Sequence, residues 1–215
     1  MIIGISGKKT SGKDTVCTII EAIDLYYNSN LKTSTNLHTF VNQCLIKNES
    51  LYKSKWHRKS FAAKLRNCLF FITKDERIFA SDDATKNSLS TIKDSNGNYY
   101  TIRQLLQKFG TEVGRNVSPN LWVDALINDY LKAKLDGYKE YWIITDVRFE
   151  NEAEAVREND GILIRINRNT KLNDQHSSET ALDNYKNFNL IIDNNGTLDE
   201  LIDKVHNFMK EFELV

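Results

Sequence analysis

The chain opens with Met1-Ile2-Ile3-Gly4-Ile5-Ser6-Gly7-Lys8-Lys9-Thr10-Ser11-Gly12-Lys13-Asp14-Thr15, and the reading of this stretch decides the reading of the rest. Ile2, Ile3 and Ile5 make a short, nearly continuous apolar run, the pattern of a strand buried on both faces. A glycine-bounded loop follows, and from Val16 to Ala22 apolar residues return at helical spacing. Gly7, Gly12 and Lys13 satisfy the spacing G-x-x-x-x-G-K in a strand–loop–helix context, where it forms a phosphate-binding loop. Small residues such as Gly7, Ser11 and Gly12 let successive backbone N–H groups curl around phosphate oxygens, and the following helix points its positive end at them. Lys13 reaches the β- and γ-phosphates as a point charge. Asp14 stands where Ser or Thr normally contacts magnesium, with Thr15 as the next hydroxyl.

The bulk composition fits an ordinary soluble globular domain. The 215 residues suffice for one well-packed core, and 29 basic against 29 acidic side chains leave no net charge to attract nucleic acid or an anionic membrane. Cys17, Cys44 and Cys68 are odd in number and form no C-x-x-C pair, which argues against a disulfide scaffold or zinc site and for a reducing, cytoplasmic setting. No apolar run approaches the roughly 18 residues of a membrane span.

Downstream, the pattern alternates. A first helix is expected from Lys13 to about Tyr27, then a polar insertion over 29–57 containing a short helix at Asn36–Ile46. His57–Ala62 reads as a strand, and Lys64–Thr73 as a helix with Leu65, Leu69 and Ile72 in phase. Asn96-Gly97 marks a turn within 90–100. Thr101 opens a helix carrying Ile102, Leu105, Leu106 and Phe109, ended by Gly110, and Ser118-Pro119-Asn120 caps another at Leu121–Leu135. Tyr141–Asp146 is a second buried strand, Asn151–Asn159 a helix, and Gly161–Ile166 a third buried strand. The polar residues 167–187 suit a short lid, and Leu190–Ile192 is a fourth strand. The last helix, Leu198 to about Phe212, is capped by Thr197. Apolar strands alternating with helices give a three-layer α/β fold around a parallel sheet.

Three groups of residues carry chemistry besides the loop. Asp146 ends a strand at its carboxyl end, where parallel sheets place their ligands, with Arg148 and Glu152 close behind. The acid can hold magnesium through water or grip a substrate group, and Arg148 can pair with a phosphate; equally, the three can form a helix cap with a surface ion pair. Arg103 lies on a helix face, where arginines are usually solvated; Trp122 fits a core position as well as a base-stacking platform, and Arg66 fits an exposed helix charge. Arg165 and Arg168 flank the 167–187 segment, so a closing lid would bring arginines over the phosphates. His176 sits in a polar segment and is no convincing general base, which phosphoryl transfer to an ionised acceptor oxygen does not need.

These motifs, in this order, resemble the bacteriophage-type deoxynucleoside monophosphate kinases over nearly the whole length. Ser6–Thr15 looks like the family's loop, including the acid after the lysine. Ser60–Arg66, Arg103–Thr111, Trp122-Val123, Asp146–Glu152, His176-Ser177-Ser178-Glu179 and the Asn194–Thr197 turn complete the likeness. Thr10 replaces a basic residue common in that loop, and Ala63-Lys64 replaces a small-residue–proline pair.

The resemblance implies a single P-loop kinase domain over 1–215, with an acceptor-binding helical region at about 61–135 and a lid at about 167–187. It implies transfer of the γ-phosphoryl of ATP to a deoxynucleoside 5′-monophosphate with Mg²⁺. Gly7, Lys9, Thr10, Ser11, Gly12, Lys13, Asp14 and Thr15 would hold ATP, Asp14 assisting the metal. Leu65, Arg66, Arg103, Gly110, Trp122, Asp146, Arg148 and Glu152 would form the acceptor site. Lys13, Arg148 and Asp146 would be the catalytic group, and Arg165 and Arg168 the lid arginines. The expected partner is a small-molecule acceptor, with neither nucleic acid nor membrane, in the host cytoplasm if phage-encoded. A homodimer is compatible with Tyr26, Tyr27, Tyr99 and Tyr100. Two alternatives stay open from the residues alone: a P-loop kinase acting on another phosphorylated acceptor such as a nucleic-acid end, and a nucleotide-binding module without catalysis.

Overall fold

The computed structural model describes residues 1–28, 35–47, 54–169 and 177–215, of Ser177 and Ser178 the backbone alone. The expected insertion at 29–34 and 48–53, and the expected lid at 170–176 with His176, lie outside the described residues. In chain order the elements are β1 (Ile2–Gly7), α1 (Lys13–Asn28), α2 (Leu37–Lys47), β2 (Trp56–Lys59), α3 (Phe61–Thr73), α4 (Asp83–Asn87), β3 (Leu89–Lys93) and β4 (Tyr99–Thr101). There follow α5 (Ile102–Gln107), α6 (Arg115–Val117), α7 (Leu121–Leu135), β5 (Tyr141–Val147), α8 (Glu150–Glu158), β6 (Ile162–Asn167), α9 (Ser177–Thr180), β7 (Leu190–Asp193) and α10 (Leu198–Glu211). None of the helices among the described residues is long and apolar enough to cross a membrane. The chain divides into two compact units, Met1–Lys59 with Ala133–Val215, and Ser60–Lys132.

The first unit is the expected α/β structure. Its five strands are all parallel in the order β2-β5-β1-β6-β7. Alternation along β1 distributes the layers. Ile3 and Ile5 join α1 and α10 in one buried cluster with Ile20, Ile23, Val205 and Phe208. Gly4 faces the other way, and a Cβ there would stand 3.0 Å from Val156 of α8. The sheet is therefore covered on both faces. Each large side chain so buried contributes about 1.5–3 kcal/mol, and the wholly buried Ile3, Ile5, Ile19, Ile20 and Ile23 form much of this core. α10 starts where the sequence places it: the Thr197 hydroxyl accepts from the Glu200 N–H while the Glu200 carboxylate accepts from the Thr197 N–H, a reciprocal cap.

Residues 37–47, read from the sequence as part of an insertion, form α2, whose Val41 is fully buried in this same core. Asp24 fixes the return to β2. Its buried carboxylate accepts from the Ser54 hydroxyl at 2.8 Å and the Lys55 N–H at 2.9 Å. Tyr26 packs on Phe40, and the Tyr27 hydroxyl meets His206 at 2.7 Å.

The second unit has its own core of Leu65, Leu69, Ile78, Ile102, Leu105 and Trp122. The strand expected at His57–Ala62 is shorter and earlier, because extended Ser60 is the N-cap of α3 and helix begins at Phe61. The Asn96-Gly97 signal is met by the β3–β4 hairpin, with Gly97 at φ +86° and Asp94 accepting from the N–H groups of Asn96 and Asn98. Gly110 does not end the helix begun at Thr101. Helical structure continues through a wider π-type stretch over Lys108–Gly114 into α6. Its glycines serve close approach instead: a Cβ on Gly110 would lie 2.9 Å from Leu65, and one on Gly114 2.4 Å from the Trp122 ring.

Candidate active site

The loop between β1 and α1 is built as the spacing requires. Lys13, the first residue of α1, folds back and donates to the carbonyls of Gly7 at 2.7 Å and Lys8 at 2.9 Å. A Cβ on Gly12, at φ +98°, would meet the Asn194 amide at 2.4 Å, and that amide donates to the Ser11 carbonyl at 2.8 Å. A Cβ on Gly7 would meet the Ser11 hydroxyl at 2.5 Å. Thr10 sits at φ +64°, a costly conformation for a β-branched residue that functional loops retain. The Ser11 hydroxyl is buried with no hydrogen-bond partner among the described residues. Asp14 is exposed in the first turn of α1 beside half-buried Thr15. Such an exposed carboxylate supplies the hard oxygen donor that a phosphate-bound divalent cation takes. No group of three or more potential ligands stands ready for a metal among the described residues.

Cations converge on this loop. Arg165 and Ser6 are paired across the sheet and lie on the face that β1 turns away from α1. Arg165 is 8% exposed and donates to the Ser6 hydroxyl at 3.0 Å and to Asp183 at 2.9 Å. Asp183 in turn pairs with Lys8 at 2.9 Å. Burial, reinforced by the positive charge of Arg148, holds the Lys13 ammonium well below the usual lysine range, at about 8. Arg165 adds to the same effect.

Asp146 is half-buried near the end of β5, alongside the end of β1. Glu152 is buried in the first turn of α8, and its carboxylate accepts from the N–H groups of Arg148 at 2.7 Å and Phe149 at 3.1 Å. It thereby fixes the backbone from which Arg148 projects. The Arg148 guanidinium pairs with Glu179, whose other oxygen accepts from the Lys9 N–H of the loop at 2.8 Å. The first unit thus brings the loop residues, Arg148, Glu152 and Arg165 together. Of the two flanking arginines, Arg165 lies within β6 and is fixed, while Arg168 is exposed beyond it.

Within the second unit Leu65, Gly110 and Trp122 meet. The Trp122 indole N–H donates to the Gly110 carbonyl at 2.9 Å, and its ring is buried. The two arginines are held by other partners. Arg66 reaches the Phe79 carbonyl at 3.4 Å, and Arg103 is held by Asp83 at 2.7 Å and Asn87 at 3.0 Å.

Sequence reasoning did not select Ser6, Lys8, Glu179, Asp183 or Asn194 as site residues. Glu179 and Asp183 have a helical i, i+4 spacing, but nothing local ties either to the loop some 170 positions earlier in the chain. Asn194 lies in a turn already noted, and its bond to Ser11 spans 183 positions.

A parallel α/β sheet with a lysine-bearing loop between its central strand and first helix defines a P-loop phosphate-binding protein. The profile of the family described as deoxynucleotide monophosphate kinase matches residues 41–205, well over half of the chain, and the chain belongs to that family. The match begins after the loop, so loop and profile are independent indications. The chain is 30% identical over 142 residues to the deoxynucleotide monophosphate kinase of Enterobacteria phage T4, a match covering 65% of this chain and 58% of that protein. A protein of Acanthamoeba polyphaga mimivirus, provisionally given the same name, is 28% identical over 158 residues, covering 68% of this chain and 79% of its own. The Escherichia phage RB69 enzyme is 28% identical over 130 residues, covering 60% and 51%. The chain thus spans little more than half the length of the two phage relatives it matches.

Proposed function

We propose that this chain transfers the γ-phosphoryl of ATP to a deoxynucleoside 5′-monophosphate, giving the diphosphate. The observation that carries the reading is the convergence of Lys13, Arg148 and Arg165 on the loop of a chain belonging to this family. Phosphoryl transfer asks a protein for positioning and charge neutralisation more than for covalent chemistry, because the acceptor oxygen is already ionised. Lys13, with loop N–H groups from Lys9 to Thr15, holds the β- and γ-phosphates. Arg148, its backbone fixed by Glu152, clamps the transferred group, and Asp146 orients the acceptor. Mg²⁺, when bound with the nucleotide, supplies further neutralisation, and Asp14 is the residue that would help hold it. For the acceptor, the family resemblance assigns Asp146, Arg148 and Glu152 in the first unit and Leu65, Arg66, Arg103, Gly110 and Trp122 in the second. Gly110 and Trp122 act there as the frame of a packed helix pair. Arg168 is the exposed arginine available to a closing segment.

The test is ADP formation from ATP with each deoxynucleoside monophosphate in turn. ADP production that depends on at least one of them is expected. Tight ATP binding with no acceptor-dependent ADP would make the chain a nucleotide-binding module instead.

A further inference from the structure

We propose that Glu179 is an internal stand-in for a phosphoryl group: it occupies the donors that the nucleotide needs, and phosphate must displace it. The proposal deepens, and rests on, the reading of this site as a phosphate-transfer centre. Its basis is one contact geometry. Glu179 presents its two oxygens to two different donors, the backbone N–H of Lys9 at 2.8 Å and the guanidinium of Arg148. The first belongs to the phosphate loop, and the second is the arginine assigned to the transferred group. Two acceptor oxygens bridging a loop N–H and a guanidinium reproduce what a bound phosphoryl group presents.

The surroundings favour this arrangement. The Glu179 side chain is only 8% exposed, so its charge is largely withdrawn from water and must be offset by partners. Besides burial, the charges of Arg148 and Arg165 act on the Lys13 ammonium and depress it, a cationic cluster that calls for an anion. Four residues on, Asp183 does the same on the neighbouring side, taking Lys8 and Arg165. One short stretch thus neutralises the loop with two carboxylates. Since an arriving phosphate and the Glu179 carboxylate are both anions competing for the same two donors, only one can hold them. The apparent affinity for phosphate is then reduced by the fraction of molecules in which Glu179 has let go. Arg148 stays engaged until a phosphate replaces the carboxylate, so its charge is not offered to a half-filled site.

The test uses the full chain and inorganic tripolyphosphate, a phosphate probe without a base, titrated by calorimetry. E179Q keeps the shape and removes the charge, and should bind tripolyphosphate on the order of tenfold or more tightly than the unaltered chain, as removal of an internal competitor predicts. E179D keeps the charge but withdraws it by one methylene, and should fall between the two. If E179Q does not fold, the E179D comparison decides. Binding unchanged or weakened in the folded variants would overturn the proposal and make Glu179 a support for the loop. Tighter binding by E179Q from a chain that shows no deoxynucleotide-dependent ADP formation would sink the proposed function and leave the competition standing. Normal turnover with unchanged tripolyphosphate binding would do the reverse.

Discussion

The Lys13 ammonium donates to the Gly7 carbonyl at 2.7 Å, so the loop's own lysine closes the loop on itself. Burial and the nearby guanidinium of Arg148 hold its pKa at about 8 against an ordinary 10.5. The folded chain therefore carries fewer protons than the unfolded chain between those values. This group's contribution to stability rises with pH across that window, whereas phosphate binding needs the protonated form. We expect kcat/KM for ATP, which reports the free protein, to fall as pH rises through about 8. A profile flat to pH 9.5 would contradict it. Lys13→Ala should lower kcat/KM by about 10²-fold or more, as loss of one charge-stabilising donor does, with circular dichroism unchanged.

Arg148→Ala removes the guanidinium while leaving the Glu152 cap on the backbone N–H in place. We expect kcat for deoxynucleotide-dependent ADP formation to fall about 10²–10³-fold, the scale for one transition-state donor. A change confined to the affinity for ATP would count against the assignment.

Asp14 is exposed one residue beyond Lys13, where a hydroxyl is the usual metal contact. Asp14→Ser should restore that hydroxyl and shift the Mg²⁺ concentration for half-maximal turnover. An identical magnesium titration in the variant would give the carboxylate a purely structural role.

In the second unit a Cβ on Gly114 would stand 2.4 Å from the Trp122 ring, whose N–H is held by Gly110. Gly114→Ala should cost about 1–3 kcal/mol, the range for overpacking, read as a lower urea midpoint. Unaltered stability would mean that the Trp122 ring moves freely.

The cysteines should react in an order set by burial. Burial pushes the Cys17 thiol up to about 12, while Cys68 is exposed and Cys44 half-buried. Alkylation of the native chain at pH 8, followed by mass spectrometry, should label Cys68 first and Cys17 only after denaturation. Early labelling of Cys17 would mean that α1 opens readily.

Much of the fold was legible because it is locally encoded. The apolar run before Gly7, the helical phase after Lys13, the reciprocal cap at Thr197 and the turn at Asn96-Gly97 each involve residues a few positions apart, where backbone geometry and hydrogen bonding are decided by neighbours. The α/β class and the phosphate loop followed from those signals alone, and so did the position of Arg148 just beyond the end of β5. Tertiary structure decided what spans long separations. It buried Arg165 against Ser6, turned Gly110 from a helix stop into a contact with Leu65, and set Asn194 under the loop. It also placed Glu179 on Lys9 and Arg148, and that contact bears most directly on how the site works. Such contacts have no period and no fixed spacing. They exist only once the strands have taken their order and the loops at the sheet's end have met.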